Sequence, residues 1–309
     1  MPLPLHSFHC QHQQRNKKRK GNRSGNASGA AAKVAHHNPN DSLSTSSNDD
    51  SQSSLTSKST STNVFDISSF ADLLPPPATC KESLPPRVQR YWFRRKNLFS
   101  LFDSGIRMDE VGWFSVTPET FGAHLAERCR CDTIVDLFAG VGGNAIQFAY
   151  TCEIVYTVEL DPVRLACSQH NAQIYDVANR IEFILGDSLT WLERTRLVPD
   201  VIFLSPPWGG QSIWTWTSIR PRSTCLWIGS FLSIIQENRL LRACLAKTRN
   251  LALYLPKNLG NGTIKQLTDL GLDVEIEEMY AWGGVRAVTL YTGALAKCPS
   301  TRTQVQGED

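Results

Sequence analysis

No CxxC pair occurs in the 309 residues, although nine cysteines are scattered along them. Cys129 and Cys131 are only two apart, poor spacing for a metal. The pattern argues against a structural zinc and for a reducing compartment. No apolar run approaches the roughly 18 residues of a membrane span, so no membrane partner is expected. The N-terminus carries no apolar secretory segment. Aromatics are almost missing from the first 75 residues, which are rich in Ser, Thr, Asn, Gln and His. Such a stretch cannot bury enough apolar surface to offset the entropy of ordering, so residues 1–75 are expected to be a disordered tail. A large charge excess is missing too: the formal charge is +3. Residues 1–62 hold eight Lys/Arg against three Asp/Glu, which leaves the remainder at a net −2. The folded part is therefore not globally basic, and any nucleic-acid contact there must be local. Arg15 to Lys20 forms a basic cluster that reads as nuclear targeting or a non-specific RNA contact.

Pro75-Pro76-Pro77 marks a border. Residues 84–132 then carry Tyr91, Trp92, Phe93, Phe99, Phe102, Trp113 and Phe114, which predicts a small helical, aromatic subdomain. Tyr91 to Phe102 has helical spacing and a basic face of Arg90, Arg94, Arg95 and Lys96, ended by Asp103-Ser104-Gly105. Trp113 to Val116 reads as strand-like. A helix follows to about Arg128, with Thr117 as N-cap, Pro118 in the first turn and Glu119 favouring the dipole. By themselves these aromatics imply no more than a small core.

From Asp132 strands and helices alternate, which predicts an α/β domain with a mostly parallel sheet. Strands are expected at 133–138, 154–160, 181–185, 201–204 and 250–255, with an antiparallel closing pair at 274–279 and 286–291. Helices are expected at 144–151, 162–175 and 191–195. The result is a Rossmann-like, seven-stranded domain over 133–293, with 294–309 as a polar tail.

The strand ends carry the chemistry. After the first strand comes Asp136-Leu137-Phe138-Ala139-Gly140-Val141-Gly142-Gly143-Asn144, a glycine-rich turn into a helix that lets a ligand approach the backbone. Taken singly, Glu159 at the end of the second strand is an ordinary exposed acid. Asp187 at the end of the third is equally the N-cap of the next helix. Together they suit the ribose hydroxyls and the adenine amine of an adenosine moiety. The fourth strand runs into Ser205-Pro206-Pro207-Trp208-Gly209-Gly210. Two prolines stiffen the exit from the sheet. Backbone carbonyls at Ser205-Pro206 can accept from an NH₂ group, and Trp208 can stack on a flat ring. A cationic ring adds a cation–π term of roughly 0.5–2 kcal/mol.

The stretches VDLFAGVGGN, VELDPVR, GDS and LSPPWGG resemble a class I S-adenosylmethionine-dependent methyltransferase. With the upstream block RYWFRRKNLFSLFDSGIRMDEVGWFSVTPE and the later LPKN, the chain resembles the trimethylguanosine synthase family, closely over 85–210 and more loosely over 250–293. That family methylates the exocyclic N2 amine of 7-methylguanosine caps on snRNA and snoRNA, giving 2,2,7-trimethylguanosine. The resemblance implies S-adenosyl-L-methionine as cofactor and no metal. It implies capped RNA as partner, a monomer, and a place in the nucleus or nucleolus. The tail would recruit snRNP or snoRNP proteins. Asp136, Gly140, Gly142 and Asn144 would hold the methionine end of the cofactor, Glu159 its ribose and Asp187 its adenine. Phe99 and Thr117 would close over it. Ser205 and Pro206 would face the guanine amine and the cofactor, and Trp208 would stack on the methylated base with Ser115 nearby. Arg90, Lys257 and Asn258 would meet the cap phosphates. The transfer needs proximity and orientation rather than a nucleophilic side chain or a strong base, so Asp136 is not expected to act as one.

Residues 211–236 depart from the family, with Ile213 in place of a Tyr and with Trp214, Trp216 and Trp227 unexplained. Amine methylation of an rRNA or DNA base is one alternative. It is weakened by Ser205, where such enzymes usually carry Asn or Asp. A cap-binding protein that has lost catalysis is another, and a nicotinamide-dependent dehydrogenase is disfavoured by the SPPW turn and the closing hairpin.

Overall fold

The computed structural model of the chain describes residues 72–206, 239–258, 261–297 and 302–307. The basic cluster at Arg15 to Lys20, Trp208, and the divergent segment 211–236 lie outside the described residues.

Alternation of Val, Ile, Leu and Phe with short polar breaks folds as the sequence predicts. Strands β1 (Thr133–Asp136), β2 (Ile154–Glu159), β3 (Ile181–Leu185), β4 (Val201–Leu204) and β5 (Leu251–Pro256) are followed by a hairpin of β6 (Val274–Ala281) and β7 (Gly284–Thr292). Among the described residues the sheet has eight strands in the order β3-β2-β1-β4-β5-β7-β6-β8. β1 to β5 are mutually parallel where they pair, and β7 runs antiparallel to both neighbours. This is the Rossmann-like architecture expected for a class I methyltransferase, with one strand added. That strand, β8 (Arg302–Gln306), pairs parallel with β6 inside the stretch expected to be a polar tail. Its alternation offers only Val305 as an apolar residue. Main-chain hydrogen bonds hold it instead, and Gly307 N–H donates to the Tyr280 carbonyl at 2.6 Å.

Eight α-helices are described: α1 (Arg95–Leu98), α2 (Glu110–Ser115), α3 (Glu119–Arg128), α4 (Gly143–Phe148), α5 (Pro162–Ile174), α6 (Ser188–Arg194), α7 (Arg239–Leu245) and α8 (Asn261–Asp269). Both faces of the sheet are covered, as a parallel sheet requires. Ile134, Val155 and Phe203 pack on one side with Phe121 and Leu125 of α3 and Phe148 of α4. Val135, Val158 and Ile202 pack on the other with Leu192 of α6 and Leu240 and Leu241 of α7.

The aromatic block joins the first of these layers. Trp92, Phe102 and Trp113 meet ring to ring at 5.3–6.5 Å between centroids, continuous with the core under α3 and α4. The block departs from its predicted local structure in two places. The expected helix from Tyr91 to Phe102 is a 3₁₀ turn (Gln89–Arg94), the single turn α1, and a further 3₁₀ turn (Phe102–Ser104), because the chain is extended at Phe99. Trp113 to Ser115, expected as strand, is helical. Asp109 caps α2 by accepting from Gly112 N–H at 2.7 Å, and a helix start overrides the β propensity of the aromatics. α3 begins at Glu119 with Pro118 in the cap position and no side-chain cap bond, so Thr117 does not cap it.

A buried polar network ties α3 to the hairpin. Arg128 donates to Glu275 at 3.1–3.2 Å, to Glu277 at 3.0 Å and to the Leu295 carbonyl at 3.0 Å, with its guanidinium 3.9 Å from the centre of the Tyr291 ring. Burial works to raise the Glu277 pKa, but His124, Arg128 and Tyr291 together hold it below its ordinary 4.5. The ionised form is therefore favoured in the fold, and its contribution to stability is lost as the pH falls below about 4.5. Arg128→Ala strands two carboxylates without their guanidinium. It is expected to cost about 3–5 kcal/mol in urea unfolding at pH 7, with a smaller loss at low pH, where Glu277 takes up its proton.

Candidate functional site

Strand order reverses between β1 and β4, since β2 and β3 lie to one side and β5 to the other. Chains leave the sheet in opposite directions there, and a crevice opens beyond the carboxyl ends of the two strands. Asp136, Glu159, Asp187 and Ser205 all stand at this edge, at or just past the ends of β1, β2, β3 and β4. The register pairs Asp136 with Phe203 and Glu159 with Leu185, so the four ends are brought together as the sequence predicts.

Asp136 is fully buried. Its Oδ1 accepts from Phe138 N–H at 3.2 Å, and its Oδ2 is buried with no partner. Burial pushes its pKa up to about 7, against the Phe138 hydrogen bond and with the help of the Glu159 charge. A desolvated carboxylate with an unused oxygen beside a ligand crevice fits a cationic group, such as an ammonium.

The three glycines of the loop have separate reasons. Gly142 has φ +90°, and a Cβ there would sit 2.6 Å from Ser168 Oγ. A Cβ on Gly143 would meet Val116 at the same distance, with Thr117 and Phe99 within 4 Å. Those two serve packing. Gly140, φ +54°, faces open space within 4 Å, as does Gly186 after β3. The open side of the loop is therefore at Gly140, toward the ends of β2 and β3.

Glu159 is buried and already engaged. Its Oε2 accepts from Gly140 N–H at 2.9 Å; its Oε1 accepts from Asp161 N–H at 2.9 Å and from Arg164 at 3.1–3.2 Å. Asp187 Oδ1 accepts from Thr190 N–H at 2.8 Å as the cap of α6, and the residue is half-buried. Phe99 is buried, its ring 6.2 Å from that of Tyr175, and Thr117 is buried beside it. Both reach the loop at Gly143 from the N-terminal block. The Asn144 amide oxygen faces α3, 3.7 Å from where a Cβ on Gly122 would lie, and has no partner. Ser205 Oγ donates to the Phe138 carbonyl at 3.4 Å, linking the end of β4 to the loop after β1, and Pro206 is buried.

On the substrate side, Lys257 and Asn258 are exposed just past β5 at the same edge. Ser115 is exposed at the end of α2 and donates to the Val111 carbonyl. Arg90 is exposed and donates to Tyr91 Oη at 3.0 Å.

Sequence reasoning missed the residues that hold these in place. Arg164 bridges Glu159, Asp161 and Asp109. Asn171, fully buried on α5, accepts from Arg107 N–H and donates to the carbonyls of Arg107 and Val141, fastening the block to the loop. Glu119 accepts from Ser100 N–H, Ser100 Oγ and Tyr175 Oη, which fixes the chain beside Phe99. For Asn171 the available signal was a polar residue on the inward side of α5, where Leu165, Ala166 and Ala172 mark the buried face.

Asp136 gives a pH-dependent prediction. Its folded pKa, about 7, lies above the ordinary 3.8, so ionisation opposes folding. The penalty is absent below pH 4 and grows until about pH 7. Asp136→Asn is expected to stabilise the ligand-free protein by about 2–4 kcal/mol at pH 8 and hardly at all at pH 4, as read by urea unfolding.

Residues 131–281 match the family model described as RNA cap guanine-N2 methyltransferase. The trimethylguanosine synthase of Schizosaccharomyces pombe is 40% identical over 137 residues, covering 42% of this chain and 57% of that protein. The trimethylguanosine synthase of Saccharomyces cerevisiae is 33% identical over 181 residues, covering 56% and 55%. The chain thus spans little more than half the length of these curated relatives. A solved structure of a putative methyltransferase from Porphyromonas gingivalis aligns with a TM-score of 0.48 at 17% identity, covering 74% of this chain and 57% of that one. The chain is thus similar both to the RNA cap guanine-N2 methyltransferase family model, over residues 131–281 from just before β1 to the end of β6, and to these two trimethylguanosine synthases.

Proposed function

We propose that the chain methylates the exocyclic N2 amine of a 7-methylguanosine RNA cap, using S-adenosyl-L-methionine. The observation that carries this reading is the buried Asp136 carboxylate at the β1/β4 crevice, whose Oδ2 has no partner and which is linked through Phe138 and Ser205 to an amine-accepting turn. Asp136 and the open side of the loop at Gly140 would hold the ammonium end of the cofactor. Glu159 and Asp187 would hold its ribose and adenine, each with the lone pairs its internal bonds leave. When bound, the cofactor supplies an electrophilic sulfonium methyl.

The chain's own part is placement. The carbonyls of Ser205 and Pro206 would accept the N–H groups of the guanine amine and aim its lone pair at the methyl. Trp208, outside the described residues, would stack on the cationic base. Arg90, Lys257 and Asn258 would hold the phosphates. The amine can lose its proton to water after attack, so no base is needed. Phe99 and Thr117 would exclude water above the loop, and closeness and alignment would supply the rate enhancement.

The natural substrates would be snRNA and snoRNA in the nucleus or nucleolus, with residues 1–75 recruiting snRNP or snoRNP proteins. That recruitment predicts that a chain lacking residues 1–75 keeps methyl transfer in vitro but loses co-purification with those particles; unchanged co-purification would remove the tail from the proposal.

Labelled S-adenosylmethionine tests the activity with two cap dinucleotides, one 7-methylated and one plain. Label is expected only on the methylated cap. Trp208→Ala should raise KM by roughly twofold to thirtyfold, the size of the lost cation–π contact. Asp136→Asn should lose cofactor binding in calorimetry. Equal labelling of the two caps would refute recognition of the cationic base, and labelling of uncapped rRNA or DNA alone would favour another amine substrate.

A further inference from the structure

The tip of the β6–β7 hairpin lies at the carboxyl edge of the sheet. β7 runs antiparallel to β5, so its first residues stand where β5 ends, and Pro256 pairs with Ala287. Lys257 and Arg286 are the next residues out on the two strands. The turn itself is Trp282-Gly283, with φ of +49° and +71°. Two consecutive left-handed residues make the turn that hairpins favour, and Asn-Gly is its usual sequence. A tryptophan at positive φ is strained, and strain of this kind points to a use for the side chain.

Two arginines flank that indole. The Arg94 guanidinium, from the 3₁₀ turn of the N-terminal block, lies 4.3 Å from the ring centre, and the Arg286 guanidinium lies 5.3 Å from it. Arg286 also donates to the carbonyls of Ala281 and Trp282, which steadies the turn. Both arginines are exposed, and neither forms an ion pair with an acid among the described residues. A Cβ on Gly283 or Gly284 would meet nothing within 4 Å, so the backbone of the tip is open, while the Trp282 side chain is half-buried, packed in part against the core. One residue before Arg94, the ring of Phe93 is 75% exposed, with Lys81 Nζ 5.7 Å from its centre.

We infer that Arg94, Trp282 and Arg286 form a landing platform for the single-stranded RNA that follows the cap. The inference rests on the cap-methylation reading for its substrate. Interleaved aromatics and cations suit a single strand: bases stack on the rings without sequence preference, and the guanidinium groups meet phosphates. An RNA leaving the phosphate cations at Lys257 would reach Arg286 next along the same edge. The first nucleotides after the triphosphate would then pass over the Trp282 tip. A longer capped RNA should bind better than a cap dinucleotide.

The test compares a 7-methylguanosine-capped dinucleotide with a similarly capped ten-residue oligouridylate. Wild type is expected to show a KM at least about fivefold lower for the longer RNA, from one stacked base and its phosphates. Trp282→Asn, which supplies the residue the turn prefers, and Arg94→Ala should each erase that advantage while leaving dinucleotide kinetics unchanged. Arg94→Ala should also lower the salt dependence of KM for the longer RNA by about one unit of slope. A retained length advantage, or an equal fall on both substrates, would overturn the platform. If wild type labels neither cap, the cap-methylation reading fails by itself. Fluorescence anisotropy with uncapped oligouridylate then decides the surface: binding weakened in Trp282→Asn supports it, and unchanged binding rejects it. Displacement of the oligouridylate by a polyglutamate peptide at equal charge and equal potency would also reject it, since charge alone would then explain the binding.

Discussion

The guanidinium of Arg164 is the interaction on which the geometry of the crevice depends. It lies 3.1 Å from Glu159, 3.7 Å from Asp161 and 3.8 Å from Asp109. Those acids belong to the end of β2, the cap of α5 and the cap of α2. One cation thus offsets part of the repulsion among three elements, and burial already raises the Asp109 pKa above its ordinary value. Glu159, held in this way, receives Gly140 N–H and so sets the entrance to the glycine loop. The same carboxylate adds to the burial that raises Asp136. A change at Arg164 would therefore be felt at the loop, at the N-terminal block and at the buried acid together.

The packing around the loop explains why an aromatic block must precede the sheet domain. Gly143 cannot carry a side chain because Val116 occupies that space, and Gly112 is closed in the same way by Val141. Loop and block are fitted to each other at two glycines. Asn171 and the Glu119–Tyr175 pair then add directional hydrogen bonds that a purely apolar contact would lack. A block so fixed can present Phe99 and Thr117 to the loop in one arrangement, which transfer chemistry based on proximity requires.

Much of this was legible in the residues because the signals were local and strong. The bounds of β3 and β4 follow from apolar runs closed by Gly186-Asp187 and Ser205-Pro206, and the acids at the strand ends were read from the same boundaries. The misreadings have physical causes. Trp113 and Phe114 favour strands intrinsically, yet the Asp109 cap, four residues before Trp113, sets a helix. β8 has no hydrophobic period, since its pairing energy lies in main-chain bonds along β6. Gly142 and Gly143 suggested ligand approach, but only the fold shows that Ser168 and Val116 fill the space. Arg164 could not be read from sequence at all, because its three partners meet only when α2, β2 and α5 are assembled.

Electrostatics complete the argument. From residue 63 onward the chain is slightly acidic in net charge, so attraction for a polyanion must come from where cations are left unneutralised. Arg87, Arg95, Lys96, Arg130, Arg239 and Lys265 are each paired with a neighbouring acid. Exposed pairs of this kind add little to stability, but they remove positive potential from their part of the surface. Arg90, Arg94 and Arg286 are instead set against aromatic rings, which leaves their charge available, and Lys257 follows Pro256 as Arg286 precedes its register partner Ala287. Arg94, Arg286 and Lys257 thus place positive charge at the carboxyl edge of the sheet, where the strand ends form the crevice.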